Sequence, residues 1–152
     1  MRNKLILLLM VAAGFVACGH QTVYHHYEHM PSNGWEKNDT INFSIGPVKQ
    51  TANYHEDVEL RIDGDFPFQG LTLIIKETVY PKGETTEQSL NCNLVDERGE
   101  VSGSGVNYFQ YRFPHRDLQL NEGDSVVINI THNMKREILP GVADLGIRLT
   151  RK

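Results

Sequence analysis

The chain has 152 residues and a formal net charge of −4. That length suits one domain, large enough to bury about two-thirds of the surface its unfolded chain exposes. The acidic balance excludes the basic footprint of a nucleic-acid binder, so no nucleic-acid partner is expected.

Arg2 and Lys4 open the chain with positive charge, and Leu5 to Ala17 then carry no charged side chain. This run is shorter than the roughly 20 apolar residues of a bilayer-spanning helix. Basic start, apolar centre and small residues before a cleavage point describe a secretory signal peptide. Phe15-Val16-Ala17-Cys18 resembles a bacterial lipobox, whose cysteine is lipidated and becomes the first mature residue; the lipobox pattern prefers Leu where Phe15 stands. The alternative is an ordinary signal peptide that leaves Cys18 as a mature cysteine. The expected division is a lipoprotein signal peptide at 1–17, a lipidated cysteine and tether at 18–21, and one domain at 22–152. Cleavage removes two of the 15 basic residues, so −4 becomes −6. Membrane lipid, reached through acylated Cys18, is the first expected partner. With Cys18 lipidated, Cys92 has no disulfide partner. It alternates with Leu90 and Leu94, the pattern of a small buried hydrophobe rather than a reactive thiol.

From Thr22 onward the period is that of strands. Thr22 to Met30 is rich in Tyr, Val and His, and Pro31-Ser32-Asn33-Gly34 ends it. Trp35 follows, a large side chain suited to closing one end of a core. Ile41, Phe43 and Ile45 alternate with polar residues, as do Val58, Leu60 and Ile62. Phe66-Pro67-Phe68 leads into Leu71–Val79, the most apolar run and the expected interior strand. Pro81-Lys82-Gly83 reads as a turn. Leu90 to Leu94, Asn107 to Phe113 and Val126 to Thr131 add three strands. Met134 to Gly141 is the one place for a short helical turn, ended by Pro140. In the last strand Ala143, Leu145, Ile147 and Leu149 face the core, and Asp144, Gly146, Arg148 and Thr150 face water. Eight or nine short strands with turn signals between them predict an all-β, antiparallel sandwich, jelly-roll-like or immunoglobulin-like.

Candidate chemistry is sparse. His25 and His29 share a strand face and lie about 13 Å apart, too far to hold one ion together with His20 or His26. Asp57, Asp63 and Asp65 do not have the spacing of an EF-hand loop. Gly99 to Gly105 lacks the Gly-Lys-Ser/Thr of a phosphate loop, and no Gly-x-Ser-x-Gly occurs. The many acidic side chains on strands read as a solvated surface. No catalytic residue, metal ligand or cofactor is assigned.

The order of features resembles the gliding-motility lipoprotein GldH family of Bacteroidetes. Tyr24 to Pro31 precedes Gly34-Trp35, as an aromatic-rich strand precedes Gly-Trp in that family. Phe43 and Leu60-Arg61 follow, and Phe66-Pro67-Phe68 with Leu71 resembles its Tyr-Pro-Tyr-x-x-Leu. Gly99 to Gly105 resembles its Gly-x-Trp-x-Gly-x-Gly. The stretch from Met134 through Leu139-Pro140-Gly141-Val142 to Asp144-Leu145-Gly146-Ile147-Arg148 is the most specific part. Val101 stands where the family usually has Trp, and Ile62 and Asp63 replace an Asn after Arg61. The resemblance implies a lipoprotein linked to gliding and its associated protein export, without catalytic residues.

The expected function is therefore a non-catalytic, lipid-anchored component of the cell envelope, not an enzyme. Its expected partners are envelope or gliding-machinery proteins, met through Trp35, Phe66 and Phe68. Gly19 to Val23 holds no acidic residue, which favours an outer-membrane lipoprotein facing the periplasm over one exported to the surface. The competing reading is a periplasmic small-ligand or glycan-binding lipoprotein that uses Trp35, Tyr108 and Phe109.

Overall fold

A computed structural model describes residues 21–152; Cys18, His20 and the predicted signal peptide lie outside them. Ten strands make up the described secondary structure: β1 (Gln21–His29), β2 (Trp35–Glu36), β3 (Ile41–Ile45), β4 (Ala52–Asp63), β5 (Gly70–Tyr80), β6 (Glu84–Asn93), β7 (Tyr108–Leu120), β8 (Ser125–His132), β9 (Ile138–Leu139) and β10 (Val142–Arg151). One sheet runs β1-β10-β4-β7, the other β3-β8-β5-β6, and β2 pairs with β9 in a small ribbon. All these pairings are antiparallel. The expected antiparallel sandwich is what the chain forms, and the apolar run Leu71–Val79 lies in β5, inside its sheet between β8 and β6.

Strand alternation explains the core. Tyr54, Val58, Leu60 and Ile62 of β4 and Leu145, Ile147 and Leu149 of β10 are buried. They belong to one cluster with Phe43 of β3, Leu71, Leu73 and Ile75 of β5, and Val126, Ile128 and Ile130 of β8. Cys92 is in the same cluster, and burial pushes its thiol up to about 12. Trp35 closes one end of the core. Its indole donates from Nε1 to the Asp39 carbonyl at 3.0 Å and meets the His132 ring edge-on at 5.2 Å.

Two expectations are corrected. Met134 to Gly141 holds no helical turn. Ile138-Leu139 instead pairs with Trp35-Glu36, and the Lys37 amide donates to the Glu137 carbonyl at 2.7 Å. In β10 the register against β4 shifts between Val142 and Asp144, so Val142, not Ala143, enters the core. A bulge places two residues opposite one and turns the strand face over, which alternation alone does not reveal.

The registers sort the connections into two ends. Gln21 lies beside Arg151, Ala52 beside Leu120 and Tyr80 beside Ser125, and the Val48 amide donates to the Asp124 carbonyl. Loops 46–51, 81–83 and 121–124 therefore share the end where β1 begins. At the other end His29 lies beside Asp144, Asp63 beside Tyr108 and Gly70 beside Asn93. Loops 64–69, 94–107 and 133–141 share that distal end.

Candidate interaction surface

Close packing of glycines shapes the distal end. Gly34 has φ +104°, and a Cβ there would fall 2.7 Å from Ile138 Cγ2, so the turn after β1 can lie directly on β9. Gly141 is tighter: a Cβ would come 2.2 Å from the Phe66 amide nitrogen. The loop carrying Phe66 is thus seated on the bend before β10, where the Asp63 amide also donates to the Gly141 carbonyl at 2.9 Å.

The three residues expected to meet a partner separate here. Trp35 is wholly buried, which corrects its expected contact role: it supports the distal loops from beneath. Phe66 is half-buried and packs edge-on against Phe68 at 5.6 Å, and Phe68 is exposed. Val101, Val106, Tyr108 and Ile138 are exposed on the same end. Val101, in the position where the family usually has Trp, is half-exposed, so that position faces outward. Of the aromatics named for ligand binding, Tyr108 is exposed, Phe109 half-buried and Trp35 buried. Tyr108 borders a hollow of about 450 Å³ with His29, Arg61, Gln110 and Asp144.

Two groups of side chains gather on buried acids of central strand β4, Glu59 and Glu56, where a wet acidic surface was expected. Glu59 points to the outer face of its sheet yet is wholly buried. Its neighbours across the strands are Gly146 and Arg112. Because Gly146 has no side chain, the Tyr27 ring crosses it and donates its hydroxyl to Glu59 Oε2. His25 Nε2 lies 2.8 Å from the same oxygen, while Arg112 and Arg148 donate to Oε1 at 2.7 and 3.1 Å. The Arg61 guanidinium stacks on the Tyr27 ring at 4.2 Å. Burial opposes ionisation of Glu59, but hydrogen bonds from Tyr27, His25 and Arg112 outweigh it and hold the carboxyl at about 2. Burial and the bond to Glu59 push the Tyr27 hydroxyl up to about 12. A carboxylate saturated by four donors is a poor general base at neutral pH; it pins β1, β10 and β7 to β4.

The second group points inward. Glu56 of β4 and Glu77 of β5 meet between the sheets, joined by His115 of β7. One ligand atom from each lies within 4.8 Å of the others. The register between β4 and β7 shifts here: Glu56 pairs with Arg116 and Asp57 with Pro114, leaving His115 as the extra residue of a bulge. Burial, then the facing Glu77 carboxyl, raises the Glu56 carboxyl well above the usual range, and burial lowers the His115 imidazole. Sequence reading missed the second group because His55-Glu56-Asp57 interrupts the apolar alternation, and the first because Glu59 alternates with Val58 and Leu60; both stretches read as surface.

These features define an antiparallel β-sandwich domain with apolar side chains exposed on the loops of one end. The chain belongs to the GldH lipoprotein family, whose model matches residues 22–149. The resemblance read from its motifs is thereby borne out. The gliding motility lipoprotein GldH of Flavobacterium johnsoniae is 24% identical over 96% of this chain and 95% of that protein. The gliding motility lipoprotein GldH homolog of Christiangramia forsetii is 23% identical over 90% of this chain and 88% of that protein. Among solved structures, the globular domain of zebrafish complement 1qA protein matches 88% of this chain and 100% of that one, at 12% identity and a TM-score of 0.44.

Proposed function

We propose that this chain is a non-catalytic envelope lipoprotein, anchored through acylated Cys18 and associated with the gliding-motility and protein-export apparatus. It sits in the outer membrane, faces the periplasm and binds another envelope protein through its distal loops. The names of its relatives support the association with gliding. The observation that carries the binding role is the placement of Phe68, Val101, Val106, Tyr108 and Ile138, all exposed at the end away from Gln21. Apolar side chains gathered on one surface mark interaction sites. Phe66 and buried Trp35 hold that surface in shape.

Site-specific photo-crosslinkers at Phe68 and Val106 test this reading in intact cells. The same envelope protein should be captured from both positions and not from Lys82 at the opposite end. Identical capture from all three positions, or none from the distal pair, overturns the binding role. The glycan-binding reading keeps Tyr108 and its hollow but loses Trp35; a sugar protecting Tyr108 from modification would favour it.

A further inference from the structure

We propose that Glu56, Glu77 and His115 bind one divalent transition cation, of the zinc or manganese type, between the two sheets. Both carboxylate oxygens of Glu56, Oε1 of Glu77 and Nε2 of His115 are buried with no hydrogen-bond partner. Native interiors seldom leave such groups bare, and here four converge from three strands. A proton shared by the two carboxyls would satisfy one oxygen pair. It would leave the other Glu56 oxygen and His115 Nε2 unpaired. A cation satisfies the cluster at once.

The surroundings fit that cation. Arg116 donates to Glu77 Oε2 at 2.8 Å and to Thr86 Oγ1 at 2.7 Å. This holds Glu77 by one oxygen and leaves Oε1 to the cluster, the way outer partners orient metal ligands. Glu56 and Glu77 are two buried carboxyl side chains, and the guanidinium of Arg116 pairs with Glu77 alone. With both carboxyls ionised the cluster keeps a net negative charge, which favours a cation. Donors on such an ion lie at most about 4.4 Å apart for bonds of about 2.0–2.2 Å. Side chains already within 4.8 Å close on it with a small shift. A cleft of about 120 Å³ opens beside Glu77, Thr86 and Arg116, on the side of the cluster held by Glu77. An imidazole donor with few oxygens favours zinc or manganese over calcium, which takes six to eight oxygens.

The test uses the full chain in detergent, stripped with a chelator and titrated with zinc chloride, manganese chloride and calcium chloride. Calorimetry should show one zinc or manganese ion per chain, with a melting temperature raised by several degrees and little response to calcium. His115→Gln and Glu56→Gln should each weaken binding at least tenfold, while His26→Gln leaves it unchanged. If Glu56→Gln does not fold, His115→Gln decides, since that half-buried side chain sits in a bulge of an edge strand. A folded wild-type chain that takes up no stoichiometric cation overturns the proposal. So does binding retained in His115→Gln, or binding lost in His26→Gln, which would assign the ion to the β1 histidines.

Discussion

The Tyr27 ring lies against Gly146 across the β1–β10 pair: a Cβ on Gly146 would fall 2.6 Å from Tyr27 Cδ1. The missing side chain lets a tyrosine of edge strand β1 reach across β10 to Glu59 of β4, two strands in. Gly146→Ala should push the ring away, break its bond to Glu59 and cost about 1–3 kcal/mol. Denaturant titration measures this. Tyr27→Phe removes the same bond, so the double variant should lose less than the two single losses combined. Full additivity would show that Gly146 acts elsewhere.

The bonds around Glu59 also set an acid limit. Its carboxyl is held at about 2 in the folded chain against an ordinary 4.5. A depressed folded value stabilises the fold above the unfolded pKa, and that contribution disappears as pH falls from about 4.5 through about 2. Solvent at the edges of the network reduces the effect to about 1–2 kcal/mol. Denaturant midpoints measured between pH 7 and pH 2 should fall steeply in this window, and Glu59→Gln should flatten the slope. An unchanged slope in that variant would assign the acid limb to other carboxyls.

Arg148 lies on the side of β10 that alternation assigns to water, yet it donates to a buried carboxylate. Arg148→Ala should therefore cost about 1–3 kcal/mol. An exposed residue such as Gln88 should stay within about 0.5 kcal/mol when changed to Ala. Ile147→Asp should cost more than either, by placing an unpaired carboxylate in the core. Equal losses for Arg148→Ala and Gln88→Ala in the same titration would remove Arg148 from the network.

These cases show what was readable in the chain and what was not. Leu145, Ile147 and Leu149 announce their face because period two needs no knowledge of neighbours. Trp35 was legible as a core closure, but its burial removes it from the contact surface. Ile138-Leu139 is too short to carry a period, and its partner lies a hundred residues earlier. Glu59 reads as solvent-facing because its burial is made by β1, β7 and β10 side chains whose order no local pattern states. Glu56 and His115 meet only through a bulge in β7, a shift by one residue that sequence alternation does not encode.

Cys92 offers a check on the core. Burial pushes its thiol up to about 12, and the thiolate is the reactive form. In a Cys18→Ala chain, a thiol reagent at pH 8 should leave the native protein unlabelled and react fully in denaturant. Rapid labelling of the native chain would mean that β6 opens readily from its sheet.

The final prediction joins anchor and orientation. Metabolic labelling with a fatty-acid analogue should mark the wild type and spare Cys18→Ala. Gln21, three residues after Cys18, begins β1 at the end that carries Lys49, Tyr80 and Lys82. The nine residues of β1 then lead away over about 30 Å. An acylated Cys18 would hold the first end at the bilayer and present Phe68, Val101 and Val106 to whatever lies above it. Two or three acyl chains hold such a domain firmly, where one would not. In vesicles with nitroxide-labelled lipid, a fluorophore at Lys82 should be quenched strongly and one at Val106 weakly. Equal quenching at both would lay the sandwich flat on the membrane and bury the distal loops that the partner is expected to meet.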